Sequence, residues 1–167
     1  MRFTGKKILF FLFIFLSFNT MANNDYWNLR LKYEKYENFI NQNKKYSLPE
    51  VRRIEFYLRH TERFFKSGNN ERVRLYLDKT EFLYDKALFK IEIIEKEKEK
   101  ILKVFNNYSY TLSENMEYLE LSGDLTSFQD DYTNIKNYLN NYELTKAGKL
   151  LDKSYTELKK VIGKKIS

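Results

Sequence analysis

The stretch from Val73 to Tyr108, VRLYLDKTEFLYDKALFKIEIIEKEKEKILKVFNNY, decides the fold. Within it Val73, Leu77, Thr80, Tyr84, Ala87, Ile91, Ile94, Lys98, Ile101, Phe105 and Tyr108 follow one another at alternating steps of four and three without a miss. Residues three and four apart share one face of an α-helix, so the pattern reads as one long helix carrying a heptad seam. Glu92 with Lys96 and Glu99 with Lys103 are favourable i,i+4 pairs, and the run from Glu95 to Lys100 alternates in sign, as a solvated helix face does. Asn106-Asn107 and Ser109 offer a bend in this helix. Unbroken, the helix extends toward Leu121, with Leu112 and Leu119 on the continuing seam.

Working back from the seam, Ser67-Gly68-Asn69-Asn70 is a helix stop, glycine supplying the left-handed cap. Before it Val51, Ile54, Leu58, Thr61 and Phe65 define the face of a shorter helix. Its start is marked by Ser47-Leu48-Pro49-Glu50: the serine hydroxyl is placed to cap, the glutamate to reach back, and proline suits the first turn. Leu29, Tyr33, Tyr36 and Ile40 predict a first helix from about Asp25 to Asn43, with Trp27 at its start.

Working forward, Ser122-Gly123-Asp124 is the next turn. After it Leu125, Phe128, Tyr132, Ile135 and Leu139 repeat the spacing of Val51 to Phe65 at an offset of 74 residues. Ala147, Leu151, Ser154, Leu158 and Val161 stand at the same offset from Val73, Leu77, Thr80, Tyr84 and Ala87, and Leu77-Asp78-Lys79 recurs as Leu151-Asp152-Lys153. A repeated supersecondary unit explains seam, turn and local identity together. No alternation of period two bounded by turn residues is present, so the expected class is all-α, with two antiparallel helical hairpins that are repeat-like or coiled-coil-like.

The amino terminus has a different character. Arg2, Lys6 and Lys7 precede an unbroken apolar run from Ile8 to Leu16, and Thr20-Met21-Ala22 offers small side chains for a peptidase. The run is about half the length a membrane-spanning helix needs, so it reads as a cleavable signal peptide over 1–22. The expected organisation is then an N-terminal helix over 23–45, a first hairpin with a long second helix over 46–110, and a connecting helix with a second hairpin over 111–167.

Removing 1–22 leaves 145 residues with 27 Lys and Arg against 23 Asp and Glu, a mildly basic chain large enough for one domain or two small repeats. There is no cysteine, which excludes disulfides and acylation at a new amino-terminal cysteine. All 14 tyrosines and 8 of the 14 phenylalanines lie after residue 22. A genome rich in A and T codons enriches Tyr, Phe, Asn, Lys and Ile together, so composition alone does not make these rings a binding surface.

Residues Tyr46-Ser47-Leu48-Pro49-Glu50, Lys66-Ser67-Gly68-Asn69 and Tyr84-Asp85-Lys86-Ala87, within 46–90, resemble a family of bacterial envelope domains. These helical hairpins occur behind signal peptides in OmpA-like proteins and lipoproteins. This chain departs from the pattern in lacking the lipid-accepting cysteine, in carrying bulky residues where the family favours alanine, and in having no peptidoglycan-binding domain after it. The segment from Ala147 to Val161 also resembles half of a tetratricopeptide-type repeat, although an offset of 74 is wrong for a regular array. Both resemblances imply an interaction role and neither supplies site residues.

The residues nominate no catalytic, cofactor-binding or metal-binding site. One histidine, His60, and no cysteine do not build a zinc site or a nucleophilic triad of the usual kind. His60 lies off the seam and is expected on the surface. The carboxylates of Glu92 to Glu99 and of Asp130-Asp131 sit among lysines or on polar faces, where nothing raises a pKa. There is no glycine-rich phosphate loop, and export argues against nucleic acid. Lys44-Lys45, Lys159-Lys160 and Lys164-Lys165 suit either a solubilising surface or contact with anionic membrane lipids or wall polymers.

The expectation is a non-enzymatic, exported helical scaffold, periplasmic or in the cell envelope, that binds another protein, with self-association also open. A surface-exposed helical adhesin and a periplasmic holdase for outer-membrane proteins are the alternatives. An exposed apolar face suits the holdase, a self-associating seam the adhesin, and an internal seam the scaffold.

Overall fold

A computed structural model describes residues 5–164, with side chains from Asn24 onward. The side chains of the expected signal peptide, 1–22, and of Lys165 therefore lie outside the described residues. The chain is all-helical: among the described residues the helices are α1 (Gly5–Asn43), α2 (Pro49–Lys66), α3 (Asn70–Glu114), α4 (Met116–Ser122), α5 (Leu125–Asn140) and α6 (Leu144–Gly163), with a 3-10 turn at Lys44–Tyr46. No helix among them is long and apolar enough to cross a membrane. The chain divides into two compact units between Leu88 and Phe89, inside α3. An uninterrupted helix carries no turn residue at such a boundary.

The first unit is built from α1, α2 and the first part of α3. Its α1–α3 contacts keep the same sense along both helices, from Asp25–Arg74 through Lys32–Glu81 to Tyr36–Tyr84. Contacts with α2 run in the opposite sense: Tyr26 and Arg30 of α1 meet Phe65 and Glu62, while Glu50 and Phe64 of α2 meet Lys86 and Tyr76 of α3. Seam residues provide the core, with Tyr36, Ile54, Val73, Leu77 and Ala87 buried.

The second unit uses the rest of α3 with α4, α5 and α6. Phe105 and Tyr108 of α3 meet Tyr132 and the Phe128 carbonyl of α5 in reversed order. Glu95, Tyr108 and Tyr118 meet Tyr142, Ser154 and Val161 in chain order. Its core holds Tyr108, Leu119, Ile135, Leu151 and Leu158, with Ile94 and Ile101 packed at the edge. Ile94 and Ile101 of the seam are thus partly buried against the core built with the chain's own later helices.

Many core positions of the two units correspond. Leu29, Tyr33, Tyr36 and Ile40 match Ile101, Phe105, Tyr108 and Leu112 at an offset of 72; from Val51 onward the offset is 74. Their turns share a pair of backbone bonds. Asn69 N–H donates to the Phe64 carbonyl (3.0 Å) and Gly68 N–H to Phe65 (3.1 Å), while Glu143 donates to Tyr138 (2.9 Å) and Tyr142 to Leu139 (3.3 Å). Gly68 (φ 69°) and Tyr142 (φ 58°) are both left-handed, a conformation that costs a residue with a Cβ about 1–2 kcal/mol.

Two local expectations are corrected. Asn106-Asn107 does not break α3, which continues to Glu114. Buried Phe105 and Tyr108 on either side hold the helix through residues of poor propensity, and the Thr111 hydroxyl donates to the Asn107 carbonyl (2.8 Å). Ser47 does not cap α2 either. It is left-handed (φ 53°), Leu48 takes the cap position without a side-chain bond, and Glu50 turns inward with its carboxylate 3.9 Å from Lys86 Nζ.

Candidate functional site

Because the units correspond, each surface position has an internal reference: what one copy tolerates, the fold does not require of the other. Two surfaces differ sharply on this comparison.

The first lies between α2 and α3 in the first unit. An open groove of about 520 Å³ is lined by Arg53, Tyr57, Leu75, Asp78, Lys79, Phe82 and Leu83. Phe82 is 73% exposed, neighbouring Phe56 55% and Leu75 51%. The rings form a connected surface. Phe56 meets His60 edge-on at 4.6 Å, His60 stacks on Tyr76 at 5.5 Å, and Tyr57 and Phe64 also contact Tyr76. Cations border it: Arg72 lies over Phe64 (5.3 Å) and Lys79 over Tyr76 (5.3 Å). His60, expected on the surface, is half-buried among these aromatics. At the matching positions of the second unit stand Ser127, Asp130, Asp131, Asn134, Lys149, Thr156 and Glu157, in place of Arg53, Phe56, Tyr57, His60, Leu75, Phe82 and Leu83.

The second surface is the groove between the two helices that run in the same sense. In the first unit it is small, about 250 Å³, and two ion pairs cross the same pair of helices: Asp25–Arg74 at 2.5 Å and Lys32–Glu81 at 3.2 Å. The hydrogen bond to Asp25 raises the Arg74 pKa. In the second unit Glu97, Gly148, Val104 and Tyr155 take those four places. The matching groove opens to about 440 Å³, floored by Ile101, Val104 and Leu151 and bordered by Lys100, Asp152 and Lys159. A Cβ added at Gly148 meets only Ile101 Cδ1, at 3.8 Å, so packing does not impose glycine there.

Neither groove holds a buried acid–base pair. The displaced titrations belong to core tyrosines and surface ion pairs. Burial pushes Tyr33 and Tyr108 up and Tyr36 up to about 12, and the Lys96 hydrogen bond lowers Glu92. Among the described residues no three His, Cys, Asp or Glu side chains gather closely enough to hold a metal ion. Glu95, from the sign-alternating run, accepts the Tyr142 hydroxyl at 3.0 Å. Lys159, from the basic tail, lies over the Tyr155 ring at 4.0 Å. Such open, partly apolar grooves bordered by charged side chains have the character of binding surfaces.

Sequence reasoning missed both grooves. The signal was present in the 74-residue offset, which aligns Phe56 and Phe82 with Asp130 and Thr156. No family model, curated protein or solved structure matches this chain.

Proposed function

We propose that the protein is a non-enzymatic helical scaffold of the bacterial cell envelope, exported by a cleavable signal peptide, which binds another protein through the aromatic face of its first unit. The chain is read as one helical-hairpin design used twice, with α2/α3 and α5/α6 as its two antiparallel hairpins. One observation carries the binding role: Phe56, Leu75 and Phe82 are held in water at positions where the second copy folds with Asp130, Lys149 and Thr156. Aromatic rings in solvent forfeit about 1.5–3 kcal/mol each relative to burial, so an unneeded exposed cluster marks an interaction surface. The apolar run before Ala22 and the resemblance over 46–90 support an envelope location.

Crosslinking and capture from intact cells, combined with amino-terminal sequencing of the captured chain, test this. The expected product begins at Asn23 and brings down a protein partner that a Phe56→Ser/Phe82→Ser variant loses while keeping its helical circular dichroism. A chain still beginning at Met1 contradicts cleavage. Undiminished capture of the partner by the double variant contradicts the binding face.

A further inference from the structure

The protein-binding reading leaves open what kind of partner the aromatic face takes, and the groove's own charges answer that. Arg53 and Lys79 line it, Arg72 borders the adjoining rings, and Asp78 is the one carboxylate among the lining residues. Lys79 and Arg72 already sit over aromatic rings, which keeps their charge beside the apolar surface. At the matching positions of the second unit Ser127 replaces Arg53 and Lys146 replaces Arg72, while the Tyr57 ring becomes the Asp131 carboxylate. The second unit thus keeps cations at two of the three places, Lys146 over the Tyr138 ring at 5.5 Å and Lys153 matching Lys79, but replaces the exposed apolar side chains beside them with Asp130, Lys149 and Thr156. A groove between two helices receives a ridge of side chains, which a peptide segment offers and a flat bilayer does not.

We infer that the groove between α2 and α3 in the first unit binds an acidic amphipathic segment of a partner protein, its apolar side chains seated beside Phe82, Leu75 and Tyr57 and its carboxylates facing Arg53, Lys79 and Arg72. This rests on the protein-binding reading above. Charge sets the choice among apolar partners, because a like-charged segment is repelled at the same distance at which an acidic one is held.

The test uses the full chain and four synthetic amphipathic peptides of one length. Three share a leucine face and differ in carrying Glu, Gln or Lys opposite it; the fourth keeps Glu but replaces leucine with serine. Vesicles of phosphatidylglycerol serve as the lipid probe. The expected order is Glu tighter than Gln and Gln tighter than Lys, with about tenfold between the extremes at low salt, narrowing as salt screens the charges. The serine peptide should not bind. An Arg53→Glu/Lys79→Glu variant with unchanged circular dichroism should reverse the order. Equal affinity for the three leucine peptides, lost in Phe56→Ser/Phe82→Ser, overturns the acidic preference but leaves the protein-binding face standing. Peptide binding that ignores Phe56 and Phe82, or capture of the vesicles with no leucine peptide bound, overturns both.

Discussion

Two matched tyrosines show how one position in a repeated core acquires different energetics. Tyr108 is fully buried, and its hydroxyl lies 2.9 Å from Ser154 Oγ and 3.0 Å from the Phe128 carbonyl. Tyr36 is equally buried, but its hydroxyl has no hydrogen-bond partner among the described residues, and Thr80, which matches Ser154, donates to its own helix at the Tyr76 carbonyl. Deleting a bonded hydroxyl strands its partners, whereas deleting an unbonded one removes only a desolvation cost. Tyr108→Phe should therefore lower stability by about 1–3 kcal/mol and Tyr36→Phe should be neutral or stabilising, as read from denaturant melts. Linkage gives a second readout. Tyr36 titrates at about 12 in the fold against 10.0 in the reference state, so the folded protein holds this proton more tightly. That contribution is whole below pH 10 and is lost as pH rises toward 12, at up to about 1.4 kcal/mol per pH unit. Tyr36→Phe should flatten the decline; an equally steep decline in the variant contradicts the assignment.

At the scale of elements, much was legible because helices announce themselves by period. The seam from Val73 to Tyr108, the Gly68 and Gly123 turns and the 74-residue correspondence all follow from spacing and turn chemistry. Tyr142 was not legible as a left-handed turn residue, since its ring gives no such signal. It is held instead by tertiary contacts, a hydroxyl bond to Glu95 and the Lys98 ammonium 3.8 Å from its ring. The correspondence of α1 with the latter part of α3 was hidden because the connection from Leu112 to Leu125 is two residues longer than that from Ile40 to Val51, which shifts the offset from 72 to 74. Leu77 and Leu151, both buried, occupy matched places, and each Leu→Ala change should cost about 2–5 kcal/mol. A severe loss at one and none at the other in urea melts would break the correspondence. Gly148→Arg should restore what the first unit has at Arg74, closing the groove toward Glu97. It should also gain about 0.5–1 kcal/mol from removing a glycine inside a helix. A melt showing marked destabilisation would mean that Gly148 is needed for packing.

For the whole molecule, the account is that one helical design appears twice and that function resides where the copies diverge. Core positions keep their character: Tyr36 with Tyr108, Leu77 with Leu151, Thr80 with Ser154. Outer positions do not, and their divergence escapes a reading of period alone because both aromatic and polar residues are compatible with an outward face. The candidate faces became visible only once contacts showed which outer residues lie across from one another. The most direct measurement places a photo-reactive phenylalanine analogue at Phe82 in one strain and at Thr156 in another, then irradiates intact cells and resolves the adducts. The account predicts a discrete protein adduct from position 82 and none from position 156. Adducts of equal yield from both positions, or from 156 alone, would contradict it.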